Sequence, residues 1–198
     1  MRASALAMVF AVGIGTTVAS CGHGVNVKSV EACRSGRPRY FTQDGLDDRF
    51  GQALCVMGEN PLASPPADEA YRFLWLRSFH DPVAVRVEVS HGEALLTAVE
   101  LDGPIDHGRG TLARSDRRKL AASEWAALVR AVEAAGFWGL PLEGGNIGLD
   151  GASWILEGKR GGSQHVVVRW SPEGNAFRAA CDAFLAASRF PFPKDEVY

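Results

Sequence analysis

The sequence lacks the features that mark several functional classes. Its 21 Lys and Arg residues face 23 Asp and Glu, so it has no basic excess for binding nucleic acid or anionic lipid. It has no Cys-x-x-Cys or paired-histidine spacing, and therefore no metal site is indicated. It also has no P-loop, no Gly-x-Ser-x-Gly and no internal repeat. We therefore expect no metal, no cofactor and no nucleic-acid partner.

The apolar run near the N-terminus is too short to span a bilayer comfortably. It covers residues 3–18, whereas a membrane-spanning helix needs roughly 20 apolar residues. Arg2 precedes the run, and no basic cluster follows it. A charged start, a short apolar middle and small residues at the end predict a secretory signal peptide over residues 1–20.

The end of this segment resembles the lipobox of bacterial lipoproteins. Val18, Ala19 and Ser20 supply an aliphatic residue and two small residues before Cys21. The resemblance implies a diacylglyceryl group on Cys21, cleavage before it and acylation of the new amine. Several acyl chains hold a protein stably at a membrane. Gly22 stands where lipoproteins of the inner membrane carry Asp, which implies the outer membrane, facing the periplasm. The alternative is an ordinary signal peptide with an unrelated cysteine.

Three cysteines remain for an oxidising compartment. Cys33 and Cys55 share a loop-rich stretch and are the expected disulfide, which would stabilise the chain by roughly 3 kcal/mol in the chain-entropy model. Cys181 stands at helical spacing with large apolar residues, which favours a buried free thiol. Pairing of Cys181 with Cys33 or Cys55 is the competing arrangement.

The chain divides by pattern after the signal peptide. Residues 21–68 are rich in Gly and Pro and poor in periodicity, which predicts a lipidated tether and a loop-rich lead-in. Residues 69–198 predict a single α+β domain, with an antiparallel sheet of about five strands, a meander followed by a hairpin. Two helices are expected on one face of this sheet.

Particular residues carry these predictions. Alternating valines over residues 82–90 predict a half-buried strand, and a glycine-centred turn separates two strands of a later hairpin. An apolar stripe from Trp125 to Val132 predicts a helix that Ser123 caps and Gly136 ends.

Aromatic residues and arginines recur on the predicted strands. The aromatics are Tyr71, Phe73, Trp75, Phe79, Trp154 and Trp170. With nearby arginines they form a binding surface by stacking and cation–π contacts, or they are core beneath the helices. In a core, Arg77 needs a carboxylate partner such as Asp150 or Glu157. The candidate binding surface comprises Arg77, His80, Asp150, Trp154, His165, Arg169 and Trp170.

Three weaker patterns are favoured as structural or surface features. His80, Asp150 and His165 have acid–base chemistry but no accompanying nucleophile motif. The glycine-rich loop over residues 143–152 follows a helix, the wrong context for a dinucleotide fingerprint. Three acidic residues could bind calcium but lack EF-hand spacing: Asp44, Asp47 and Asp48.

Three blocks of the sequence resemble recurring segments of uncharacterised bacterial lipoproteins. They are residues 71–80, from Tyr71 to His80, residues 148–154 and residues 169–172. The resemblance covers about residues 70–188 and implies no activity.

The functional prediction is a lipid-anchored envelope protein with a non-enzymatic binding or envelope-maintenance role. Its partners are the membrane, through lipidated Cys21, and an envelope protein. One alternative is a periplasmic hydrolase acting on cell-wall or lipid material. The other is a small inhibitor or immunity-type lipoprotein.

Overall fold

The computed structural model describes residues 25–64, 67–103, 110–145 and 148–198. The expected signal peptide and Cys21 lie outside these residues. The described chain is α+β, with one open sheet of seven strands and four α-helices. The expected class is confirmed, while the expected five strands and two helices are too few.

One sheet organises the described chain. Its spatial order is β4-β3-β2-β1-β6-β7-β5, and all neighbours are antiparallel except β5 and β7. The strands are β1 (Glu69–Arg77), β2 (Val83–Ser90), β3 (Glu93–Asp102), β4 (Thr111–Lys119), β5 (Glu143–Gly144), β6 (Ala152–Arg160) and β7 (Ser163–Trp170).

Two helices cover the first face of the sheet. They are α3 (Ala122–Ala134) and α4 (Ala176–Ser188), which contact each other and bury a shared apolar cluster against β1, β2, β6 and β7. The free cysteine, Cys181, lies fully buried in this cluster. Gly136 adopts the expected left-handed conformation after α3, with φ of 62°. The helix start differs from prediction: Ala121 is the N-cap, and the Glu124 carboxylate accepts its N–H.

A second layer covers the opposite face of the sheet. It contains α1 (Val30–Ser35), α2 (Gln52–Val56) and a π-helical turn (Asp47–Gly51) directly before α2. A disulfide joins Cys33 of α1 to Cys55 of α2, as expected. The apolar residues of this layer pack against the sheet in a second buried cluster. Residues 25–64 thus belong to the folded unit, whereas the sequence predicts a tether and a loop-rich lead-in here.

The central strand explains why two layers are needed. In β1, seven of the nine residues are buried, so both of its faces lie against other elements. Successive side chains alternate between the faces. Tyr71, Phe73 and Trp75 point towards α3 and α4, while Leu74 points towards the second layer. Phe79 does not share the aromatic face, because it lies beyond the strand and is 67% exposed.

Candidate functional site

The seven candidate binding residues fall at three places in the fold. One group lies where β1 ends and β6 begins, a second lies on β7 at the β5 edge, and one histidine lies farther along β7. The first group is Arg77, His80, Asp150 and Trp154, the second is Arg169 and Trp170, and the separate histidine is His165.

Arg77 is buried at the end of β1, with only 1% of its side chain exposed. Its guanidinium lies 3.4 Å from Glu100 Oε1 and 3.3 Å from Glu196 Oε2. It also donates two hydrogen bonds to the Asp81 carbonyl, at 3.1 and 2.6 Å. Burial lowers the pKa of Arg77, and the two carboxylates oppose that effect. The charge is therefore compensated inside the protein.

The two carboxylates expected as partners of Arg77, those of Asp150 and Glu157, do not pair with it; its partners are Glu100 and Glu196. Glu157 lies on the other face of the sheet and pairs with Arg72, while Asp150 is exposed in the loop before β6. Residues two apart on a strand point to the same face of the sheet. Arg77 therefore shares the face of Trp75, and its guanidinium carbon lies 4.1 Å from the centroid of the Trp75 ring.

Trp154 belongs to the core rather than to an exposed surface. It is fully buried, and its ring centroid lies 5.2 Å from that of Phe73 and 5.4 Å from that of Trp75. The Arg178 guanidinium covers it at 4.1 Å. The alternative of core aromatics therefore describes this face correctly.

The two candidate histidines are far apart. His80 follows β1, and its Nδ1 lies 2.9 Å from the Tyr198 hydroxyl. His165 Nε2 donates to the Leu140 carbonyl at 2.9 Å. On β6, Gly158 pairs with His165 and Ala152 pairs with Arg77. These two positions on β6 are six residues apart. At about 3.3 Å per residue, this separates the two ends by roughly 20 Å. The two histidines therefore do not converge in one site.

A cleft of about 470 Å³ lies at the β5 edge of the sheet. This volume falls within the range of small-molecule sites. The cleft lies between Arg49 of the π-helical turn and residues of β5 and β7, and Arg49 forms an ion pair with Glu143 of β5. Its lining is Arg49, Glu143, Gly144, Gly145, Ser153, Val168, Arg169 and Trp170.

Arg169 supplies the fixed positive charge of this cleft. Its guanidinium donates to the carbonyls of Pro141, Leu142 and Val168, at 2.7 to 3.3 Å. In the described part of the chain it forms no ion pair with a carboxylate. Burial lowers its pKa because the charge loses water without gaining a negative partner. A ligand anion would supply that partner.

Trp170, the next residue of β7, also lines the cleft and supplies an apolar ring. Gly148 packs on it so closely that an added Cβ would lie 2.5 Å from Trp170 Nε1. The glycine of the loop therefore lets the backbone approach the ring. Asn146 and Ile147 of the same loop lie outside the described residues.

A buried charge cluster on the second face was missed by sequence reasoning. Arg72, fully buried, donates to both oxygens of Glu157 at 2.8 and 2.9 Å and to Glu59 Oε2 at 3.3 Å. Arg86, opposite Arg72 on β2, lies 3.1 Å from the same oxygen of Glu59. The sequence signal for this cluster is Arg72, a charged residue within the aromatic pattern of β1. This signal points to a buried charge only when both faces of the strand are known to be buried.

The three acidic residues considered for calcium binding, Asp44, Asp47 and Asp48, have a structural role in the second layer. Asp47 accepts the backbone N–H groups of Tyr40 and Phe41 at 2.8 and 3.3 Å. Asp44 and Asp48 face Arg39 and Arg37. Within the described ranges, no cluster of three or more His, Cys, Asp or Glu residues is arranged to hold a metal ion.

Neither the family models nor the curated proteins searched match this chain. No helix in residues 25–64, 67–103, 110–145 and 148–198 is long and apolar enough to cross a membrane. Kinship with bacterial lipoproteins is therefore a proposal, supported by the lipobox-like residues before Cys21.

Proposed function

We propose that this protein is a lipid-anchored, non-enzymatic binding protein of the bacterial cell envelope. The lipobox-like residues before Cys21 support the anchor. The observation that carries the binding role is the cleft, which Arg169, without a carboxylate partner in the described chain, lines together with Trp170. In this proposal, lipid on Cys21 holds the domain at the periplasmic face of the outer membrane.

The cleft favours a ligand with an anionic group and a flat apolar part. A carboxylate would compensate the Arg169 charge, and a ring would stack on Trp170. Both contacts would hold the ligand without making or breaking a covalent bond in it. The hydrolase alternative needs His80, Asp150 and His165 in one cleft. The register positions of Arg77, near His80, and of His165 lie roughly 20 Å apart along the sheet, which gives this alternative no support.

A calorimetric titration tests the binding role with two probes that share a ring. Indole-3-acetate carries a carboxylate and tryptamine carries an ammonium group. We expect the first to bind the Cys21→Ser chain with a Kd on the order of 1 mM and the second not to bind measurably. Equal binding of both probes, or of neither, contradicts the proposed site.

Three variants localise that binding. Arg169→Gln should weaken binding of indole-3-acetate about tenfold, and Arg169→Lys should weaken it less because the charge remains. Arg34→Gln is the matched control, since Arg34 lies on α1 outside the cleft with its side chain 56% exposed. Loss of binding in the control as well would contradict a role of Arg169.

Membrane fractionation tests the anchor separately. We expect the full chain with Cys21 intact to sediment with membranes and the Cys21→Ser form to be released from them. Membrane attachment that persists in Cys21→Ser overturns the anchor but leaves the cleft proposal standing.

A further inference from the structure

The last residues of the chain lie in a groove on the helical face of the sheet. This C-terminal segment is residues 190–198. Phe192 packs edge-on against Trp75, with centroids 5.5 Å apart, and lies beneath two guanidiniums, those of Arg77 at 5.7 Å and Arg114 at 5.3 Å. The groove therefore receives an aromatic side chain between an indole and two cations.

The groove also binds the main chain of the segment. Trp154 Nε1 donates to the main-chain oxygen of Tyr198 at 2.8 Å, and Arg178 Nη2 donates to the Val197 carbonyl at 2.9 Å. Side-chain donors that bind main-chain oxygens beside an aromatic pocket can hold a peptide whatever chain it belongs to.

The segment's side chains add two polar contacts. The Tyr198 hydroxyl lies 2.9 Å from His80 Nδ1, and Glu196 Oε2 lies 3.3 Å from Arg77. None of these contacts depends on the covalent connection to α4. The same residues of another molecule would therefore make the same contacts.

A single residue, Arg189, connects α4 to the segment. Arg189 follows the last residue of α4 with φ of 61°, a left-handed conformation that costs free energy for a residue with a side chain. Extension of this hinge would remove the strain and carry the segment away from its own groove.

We propose that the groove lined by Trp75, Arg77, Arg178 and Trp154 is a docking site for residues 190–198 of a second copy of this chain. Two copies exchange their segments reciprocally and form a closed dimer. Exchange of identical elements gives such dimers with few new contacts.

Concentration decides between the two arrangements. The connection to α4 gives a chain's own segment an effective concentration of about 1 mM in its groove. Exchange therefore requires crowded copies, a condition that anchoring in one membrane would supply if the proposed anchor holds.

Mixing two differently tagged Cys21→Ser copies tests the exchange. The copies are held together at about 1 mM, diluted, and captured through one tag. We expect the second tag to be co-captured and the yield to fall about tenfold for the double variant Phe192→Ala/Tyr198→Ala. Phe79→Ala, at an exposed position outside the groove, should leave the yield unchanged. No co-capture, or an equal yield for the double variant, overturns the proposal.

Two further measurements keep the test decisive. Arg189→Gly relieves the hinge in the closed form and should reduce co-capture, whereas an increase contradicts the role of the hinge. If circular dichroism shows that the double variant is folded, a labelled peptide of residues 190–198 should bind it about tenfold more tightly than the parent chain. Failure of the peptide to bind this folded variant, or peptide binding without exchange between copies, overturns the assignment to a second copy.

Discussion

The indole nitrogen of Trp154 lies 2.8 Å from the main-chain oxygen of Tyr198, 44 positions later in the chain. Trp75 Nε1 approaches the same oxygen at 3.4 Å. One main-chain oxygen thus accepts the N–H groups of two buried tryptophans. The C-terminal segment therefore completes the polar contacts of the aromatic core, because a buried indole N–H without an acceptor is costly.

Removal of one ring from the segment should measure its contribution to stability. We predict that Phe192→Ala lowers the free energy of unfolding by about 1–2 kcal/mol, because the half-buried ring loses its contacts with Trp75. Urea unfolding of the two chains measures the difference. Phe79→Ala, at a 67% exposed position, should change stability by no more than about 0.5 kcal/mol. An equal cost for both changes would mean that the segment does not stabilise the core.

The buried charge cluster should be sensitive to loss of its central cation. We predict that Arg72→Met costs about 3–5 kcal/mol, because Glu157 is left buried without its bidentate partner. The matched control is Arg34→Met, whose exposed pair with Glu31 spans 4.0 Å and should contribute almost nothing. Chemical denaturation of both variants measures the difference, and a small effect of Arg72→Met would show that the cluster adds little.

Glu157 should make stability depend on pH. Burial raises the pKa of this carboxyl from 4.5 to about 7, against the opposing attraction of Arg72. The folded state then binds more protons than the unfolded state between pH 4.5 and 7. The stability from this group is present below pH 4.5 and is lost as the pH rises through 7.

The matched variant for this titration is Glu157→Gln. The unfolding free energy of the parent chain, relative to the variant, should fall between pH 4.5 and 7 by at most about 1.4 kcal/mol per unit and then level off. A relative stability that stays flat or rises over this window contradicts the raised pKa.

Thiol titration should separate the cysteines. Burial raises the pKa of the Cys181 thiol, so the folded Cys21→Ser chain should react very slowly with a thiol reagent. Denaturant without reductant should expose one thiol, because Cys33 and Cys55 are joined, and reductant should expose three. More than one thiol without reductant would contradict this pairing.

Local patterns predicted the elements whose sequence carries a clear period. The valines of β2 alternate, and Gly136 ends α3. The disulfide expected between Cys33 and Cys55, two cysteines of one loop-rich stretch, also forms. In contrast, the sequence of β4, Thr111–Lys119, carries no clear period. Its side chains are polar and mostly exposed at the sheet edge, so it has no apolar alternation to detect.

The second layer and the charge cluster depend on contacts between distant segments. Residues 25–64 fold through short helices and a π-helical turn, which are too brief to show helical periodicity. Without that layer, only one face of β1 was expected to be buried, and Arg72 then had no reason to attract attention. The same limitation applies to Arg77, whose partner Glu196 belongs to the C-terminal segment.

In the proposed function, the cleft lined by Trp170 binds an anionic aromatic ligand. The indole N–H resonances of the five tryptophans test this claim most directly. Indole-3-acetate is titrated into the ¹⁵N-labelled Cys21→Ser chain, with Trp170→Phe used to assign one signal. We predict that the Trp170 resonance shifts with ligand while those of buried Trp75 and Trp154 stay in place. An unmoved Trp170 resonance at saturating ligand, or shifts confined to the other indoles, would contradict the claim.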